Sequence, residues 1–344
     1  MRINKSILTY LASIFILFAG IGTQAATISR ARYLMGTVCE IAVPQTPAAM
    51  AQIDAAFAEG KRIETAISTW TPESELSRLN SAPEATPATV SPELYELLQT
   101  AMGWCTATGG AFNPLVAPLI EAWAIRGDGA IPSARAIDDA VRRARRDNVS
   151  FGETNTIVRT NGAKIEEGAF GKGYAIDRML ATLRERGATE ALINFGGQIG
   201  MSGTKAIEVT IAHPERRSAP VVALTIDRGS LSTSSGSEKT FEIAGRRFSH
   251  LLDPRTGQAL PPRGSASVLC DDALTADILS TALYVMGPEE GIRWAEEHRV
   301  AALFLVPLTG AESRHYRYAI SLSSAMRSRV RSLRLLDASF TIKE

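Results

Sequence analysis

The spacing of apolar and polar positions changes along this chain, and the changes divide it into elements. In Ala273–Met286 the apolar residues Ala276, Leu279, Ala282, Leu283 and Met286 recur at helical spacing, and Gly287-Pro288 ends the run. Asp277 and Thr281 stand at i and i+4 of this helix, so two oxygen ligands share one face and can point at a single hard cation. Upstream, residues 239–243 and 248–252 predict two strands joined by a tight Gly-containing turn, with His250 on the second strand and Asp253-Pro254 breaking it.

The same reading extends to the rest of the chain. Residues 28–43 predict a first strand in which Gly36 marks a bulge or a close backbone approach. Ile53, Phe57, Ile63 and Ile67 predict an amphipathic helix ending near Trp70, and residues 71–80 a polar turn with a short helical piece. Ser91 as N-cap, Pro92 at the first helical position, Leu94, Leu97, Leu98 and Ala101 on one face and Gly109-Gly110 beyond the end define the clearest helix. Residues 111–119 are too proline-rich for a regular element, and residues 133–146 make a further helix. From residue 191 onward a buried strand enters a Gly-Gly turn, and strands are expected at 207–212, 221–226, 230–233 and 265–269. A last helix near 289–298 and strands at 300–306 and 317–322 close the chain. Helices and strands are partly segregated and the strands follow one another with turn signals, so the pattern predicts an α+β fold with an antiparallel-rich sheet and packed helices, without a clean internal boundary.

Composition narrows the function classes. At 344 residues and 45% hydrophobic content the chain can bury one large core or two modest ones. Arg2 and Lys5 precede an apolar run over residues 7–21, and Thr23-Gln-Ala-Ala26 has the small side chains of a signal peptidase site. Residues 1–25 therefore read as a cleaved signal peptide, residues 26–344 as the mature domain, and the destination as the periplasm. Without that segment 35 basic residues face 36 acidic ones, a balance that carries no electrostatic footprint for nucleic acid. Cys39, Cys105 and Cys270 lie far apart with no Cys-x-x-Cys pair, which excludes a disulfide framework and a zinc ribbon; an oxidising compartment leaves a single disulfide open, and buried single thiols are the expected state.

Two stretches carry chemistry. The loop Glu166-Glu-Gly-Ala-Phe-Gly-Lys-Gly173 feeds a helix with Ile176, Met179, Leu180 and Leu183 that stops at Gly187. It reads either as an anion site, with free N–H groups, the helix dipole and Lys172 pointing one way, or as an ordinary Gly-rich turn. Glu166 stands where a P-loop has its first Gly, and the third Gly of a dinucleotide fingerprint is missing. His250 beside an Asp-Pro turn, with Asp277 and Thr281 downstream, supplies an imidazole, a carboxylate and a hydroxyl in one region.

Several separated stretches together resemble the ApbE-type FAD:protein FMN transferases, in that family's order and over most of the mature chain. They are Met35-Gly-Thr37, Ser74-Glu-Leu-Ser-Arg-Leu-Asn80, Gly110-Ala-Phe-Asn-Pro114, Gly168-Ala-Phe-Gly-Lys-Gly-Tyr-Ala-Ile-Asp177, Asn194-Phe-Gly-Gly197, Thr233-Ser-Ser-Gly236, His250-Leu-Leu-Asp-Pro-Arg-Thr-Gly257 and Ala276-Asp-x-x-x-Thr281. The resemblance implies an enzyme that splits FAD, joins FMN to a Thr or Ser hydroxyl of a target protein and releases AMP, with Mg²⁺. It implies Asp277, Thr281 and the carbonyl of Ala169 as metal ligands, His250 as general base, and Met35, Trp70, Ala111, Phe112, Asn113, Glu166, Lys172 and Leu251 around the flavin nucleotide. The implied partner is a flavoprotein subunit, often part of a membrane electron-transfer complex. The chain departs from the family pattern at Asn113 and Glu166, where Asp is usual, and at Gln198, Ser280 and Ser237-Glu-Lys239. Two further readings share these residues: an Mg²⁺-dependent FAD pyrophosphatase giving FMN and AMP, and a periplasmic flavin-binding or delivery protein without turnover.

Overall fold

The computed structural model of the protein describes residues 26–243, 245–308 and 317–343. The expected signal segment, residues 1–25, lies outside the described residues. Among the described residues the helices are α1 Ala49–Ile67, α2 Glu75–Ser81, α3 Pro92–Ala107, α4 Ala117–Ala122, α5 Ala134–Arg143, α6 Gly171–Glu185, α7 Ala273–Met286, α8 Pro288–Glu297 and α9 Ser324–Arg329. None is long and apolar enough to cross a membrane. Local signals account for the best-defined ends: Ser91 caps α3 by accepting the Leu94 N–H, Ser133 caps α5, and Gly187, at φ +81°, follows α6.

A nine-stranded sheet runs through the molecule in the order Thr27–Leu34, Thr37–Pro44, Ala191–Phe195, Gln198–Ser202, Gly229–Ser235, Ser265–Cys270, Ala301–Pro307, Tyr318–Leu322, Phe340–Ile342. Every neighbouring pair is antiparallel except the last. The expected α+β fold with an antiparallel-rich sheet is what the chain adopts. Side chains alternate faces along each strand, and the two faces have different cores. In Ala301–Pro307, Ala302 and Phe304 pack among the helices, whereas Ala301, Leu303 and Leu305 join a second core with Val209, Ile211, Val221 and Leu224. That second core belongs to a three-stranded sheet of Ser332–Leu335, Pro220–Ile226 and Ile207–Ala212. Helix α7 lies on the helical face with 11 of its 14 residues buried, which makes it the central support of that side.

Several local expectations are corrected. Residues 28–43 are two strands, because Met35 (φ +44°) and Gly36 (φ +78°) form a two-residue turn with both central residues left-handed, the geometry that matches strand twist in a hairpin. Gly36 is therefore a turn residue and no bulge. Residues 248–252 are likewise split: one strand ends at Ser249, the next is Leu252–Asp253 paired with Gln258–Ala259, and His250 and Leu251 lie between them. Its backbone N–H donates to the Lys239 carbonyl (2.9 Å) outside any ladder. Helix α4 begins inside the proline-rich stretch, since Pro118 occupies its first turn, where no N–H is needed. The chain continues past residue 322 with α9, capped by Ser323, and two short strands. The three cysteines are free, and burial pushes the Cys39 and Cys270 thiols up to about 12 and that of Cys105 to about 11.

Candidate functional site

The site is built where α6 and α7 meet. Gly173 in the first turn of α6 has no side chain, and that allows the approach: a Cβ there would lie 2.3 Å from the Ala273 carbonyl oxygen and 2.8 Å from Asp277 Cβ. The Gly173 N–H donates to Asp277 Oδ2 at 3.0 Å. In return Asp177 of α6 accepts the N–H groups of Ala273 and Leu274, both at 2.8 Å, in the first turn of α7. Asp272 completes that terminus by accepting the Thr275 N–H at 2.7 Å. Each helix thus carries a carboxylate that satisfies orphan N–H groups of the other.

Asp277 is buried, and burial holds its carboxyl above the usual range while the Lys172 ammonium pulls it back. Lys172 is raised by its acidic neighbours, Asp277 first, with Glu238 and Glu167 adding to it. His250 is lowered by burial, against which Glu238 acts; Lys172 and Lys239 push it further down. An imidazole kept neutral near working pH can accept a proton. Lys172, His250, Asp277 and Glu238 therefore share one electrostatic neighbourhood, and the first three are residues predicted from the sequence. The expected anion site at the start of α6 is modified in one respect: two of its N–H groups are already taken, that of Gly173 by Asp277 and that of Gly171 by the Glu167 carbonyl (2.7 Å).

The predicted cation ligands fit that use. Thr281 Oγ1 lies 3.2 Å from Ser234 Oγ, and Asp277 accepts the Gly173 N–H through Oδ2. The Gly173–Asp277 bond holds the loop containing Ala169 against α7. A carboxylate, a hydroxyl and a carbonyl are hard oxygen donors, the donor type that suits Mg²⁺. Among the described residues no cluster of three or more His, Cys, Asp or Glu offers an alternative. The sheet face beneath Thr281 is lined by hydroxyls, with Ser280 Oγ 3.1 Å from Ser232 Oγ and 3.0 Å from Ser234 Oγ.

The remaining predicted residues form two groups. Trp70 is 66% exposed, and the Arg126 guanidinium lies over its ring at 4.3 Å. Arg126 also donates to Glu166 Oε2 (2.6 Å) and to the Thr69 carbonyl (3.2 Å). The Thr69 hydroxyl lies 2.6 Å from the Glu167 carboxylate and 3.1 Å from that of Glu166. Burial, and then the Glu167 charge, push Glu166 up to about 7. Trp70, Arg126 and Glu166 line a cleft of about 530 Å³ with Asn80, Glu121 and Lys164.

Met35 donates its N–H to Glu64 (2.7 Å), and its Cε is what a Cβ on Gly171 would meet at 3.2 Å, so it reaches the start of α6. Ala111 and Phe112 are buried, Phe112 edge-on to Phe170 with centroids 6.4 Å apart. The Asn113 amide is spent inside the protein, donating to the Ala144 carbonyl (2.8 Å) and accepting the Leu115 N–H (2.9 Å). Leu251, half-buried, donates its N–H to Ser249 Oγ at 3.2 Å. Sequence reasoning missed Asp177, Arg126 and Glu238 as members of the site. Asp177 closes one of the quoted motifs and Glu238 lies in the divergent run Ser237-Glu-Lys239, but nothing local in the sequence singles out Arg126.

Comparison with known proteins gives one consistent answer. The profile of the ApbE family matches residues 35–304. The chain is 30% identical over 305 residues to the FAD:protein FMN transferase of Treponema pallidum (strain Nichols), covering 81% of this chain and 84% of that one. It is 33% identical over 235 residues to an FAD:protein FMN transferase of Klebsiella pneumoniae (strain 342), covering 67% and 74%. In structure it is similar to the crystal structure of the ApbE protein of Thermotoga maritima, with a TM-score of 0.80 and 27% identity over 89% of this chain and 100% of that one.

Proposed function

The chain belongs to the ApbE family, and on that premise we propose that it is an FAD:protein FMN transferase that moves FMN from FAD to a Thr or Ser hydroxyl and releases AMP. The observation that carries the reading is the neighbourhood of Lys172, His250 and Asp277 at the first turn of α6, one cation, one neutral base and one buried carboxylate around a helix N-terminus.

In this reading the acceptor hydroxyl gives its proton to His250. Its oxygen forms a bond to the phosphorus on the FMN side of FAD. The bond from that phosphorus to the bridging oxygen breaks, and the oxygen leaves with AMP. The imidazolium then returns its proton to solvent, so charge and atoms balance. Lys172 holds the pyrophosphate, while Trp70 and Glu166 border the nucleotide. Asp277, Thr281 and the Ala169 carbonyl would hold Mg²⁺, which when bound neutralises phosphate charge. What this chain supplies beyond binding is mostly orientation, because phosphoryl transfer needs little covalent help.

The N-terminal apolar run supports export to the periplasm, and the family resemblance supports a flavoprotein acceptor from a membrane electron-transfer complex. The test is a mass spectrum of a Thr-containing acceptor domain after incubation with the mature protein, FAD and Mg²⁺, with nucleotides separated in parallel. A covalent FMN adduct with AMP, lost in EDTA and in Asp277→Ala, is expected. FMN and AMP without an adduct would mean a pyrophosphatase acting on water, and intact FAD would mean a binding or delivery protein.

A further inference from the structure

His250 is held at one ring nitrogen and open at the other. Its Nδ1 lies 3.2 Å from the Lys239 carbonyl oxygen, which only accepts, so Nδ1 carries the proton of the neutral ring. Nε2 is then the basic nitrogen. The Glu238 carboxylate stands near it, with Oε2 at 3.9 Å, too far for a hydrogen bond and close enough for a Coulomb interaction. The other Glu238 oxygen, Oε1, accepts from Arg217 Nη2 at 3.1 Å. Glu238 is thus anchored from behind while its free oxygen faces the imidazole.

We propose that Glu238, anchored by Arg217, is a positioning residue for His250 that stabilises the imidazolium formed when Nε2 takes the acceptor's proton. This rests on the reading of His250 as general base. The groups that face the ring are Glu238 and the cations Lys172 and Lys239. With two positive charges beside it, protonation of His250 is opposed, and among the described residues Glu238 is the carboxylate that offsets them.

The experiment follows AMP release from FAD against pH, with Mg²⁺ and the unmodified Thr-containing acceptor domain, in wild type, Glu238→Gln, Glu238→Asp and His250→Gln, with the FAD Kd and Tm of each. Glu238→Gln is expected to lower kcat roughly 10-fold or more and to move the acid limb of kcat/KM down by about 1 pH unit, because the neutral amide no longer favours the protonated ring. Its FAD Kd and Tm stay near wild type, and Glu238→Asp restores the limb part of the way. A limb that stays in place in Glu238→Gln with kcat within about two-fold overturns the proposal. If the Gln variant does not fold, the Asp variant decides, since moving the charge back by one methylene must lower the limb in part. Failure of the underlying reading has a different signature: His250→Gln would keep wild-type kcat whatever Glu238 does.

Discussion

Asp177 and Asp277 each cap the helix that carries the other. Asp177, on α6, accepts the Ala273 and Leu274 N–H groups at the start of α7, and Asp277, on α7, accepts the Gly173 N–H at the start of α6. The exchange ties the predicted cation ligand to the predicted phosphate loop without a connecting segment. It also sets Asp277 Oδ2 in place.

Removal of one side of the exchange tests its strength. Asp177→Ala leaves two N–H groups in the helix contact without an acceptor, which costs about 1–3 kcal/mol for a buried donor. Urea unfolding should report that loss, and Asp177→Asn, which keeps one acceptor, should lose less.

Gly173→Ala acts on the same contact by volume. The new methyl would need to sit 2.3 Å from a backbone carbonyl, so α6 and α7 must part. Overpacking of this kind costs about 1–3 kcal/mol. Besides a lower Tm, the Mg²⁺ concentration for half-maximal AMP release should rise several-fold, which a purely global destabilisation would leave unchanged.

Glu166 makes stability depend on pH. Its carboxyl is raised to about 7 in the folded protein, from an unfolded value near the usual one, first by burial and then by the Glu167 charge. The folded state therefore binds more protons than the unfolded state between those two values. The contribution is fully present below the unfolded value and is lost as pH rises through about 7. Wild type should lose on the order of 1–3 kcal/mol between pH 5 and pH 8 from this group, and Glu166→Gln should flatten that slope in urea titrations at the two pH values.

Arg126 joins Trp70 and Glu166 through one guanidinium. Arg126→Gln removes the cation from the ring face and the ion pair from the carboxylate. FAD binding, followed by flavin fluorescence, should weaken about 10-fold by loss of orientation at the cleft. The carboxyl of Glu166 should titrate higher still, because Arg126 is a cation that lowers it. An unchanged Kd in Arg126→Gln would separate the cleft from flavin binding.

The sequence by itself determined the elements whose signals are local. Helix α7 was legible over its full length because a 3.6-residue apolar period needs no knowledge of its neighbours, and α3 because Ser91, Pro92 and the Gly pair mark its ends. The ordered motifs placed the chain in its family, and the i, i+4 spacing put Asp277 and Thr281 on one face. The split of the first strand was hidden, because Met35 with positive φ is a non-glycine residue in a conformation that its type rarely adopts. The place of His250 beyond its strand end was hidden for a different reason: the apolar residues Leu251 and Leu252 follow Phe248 closely enough to read as one strand, while the ladder partners change. Only the tertiary structure decided the helix exchange, the Arg126 bridge and the approach of Glu238 to Nε2. Their partners lie up to about a hundred residues apart, and the bonds between them are made when α6, α7 and the hairpins pack. Periodicity describes which face a residue takes on its own element, and packing decides what that face meets.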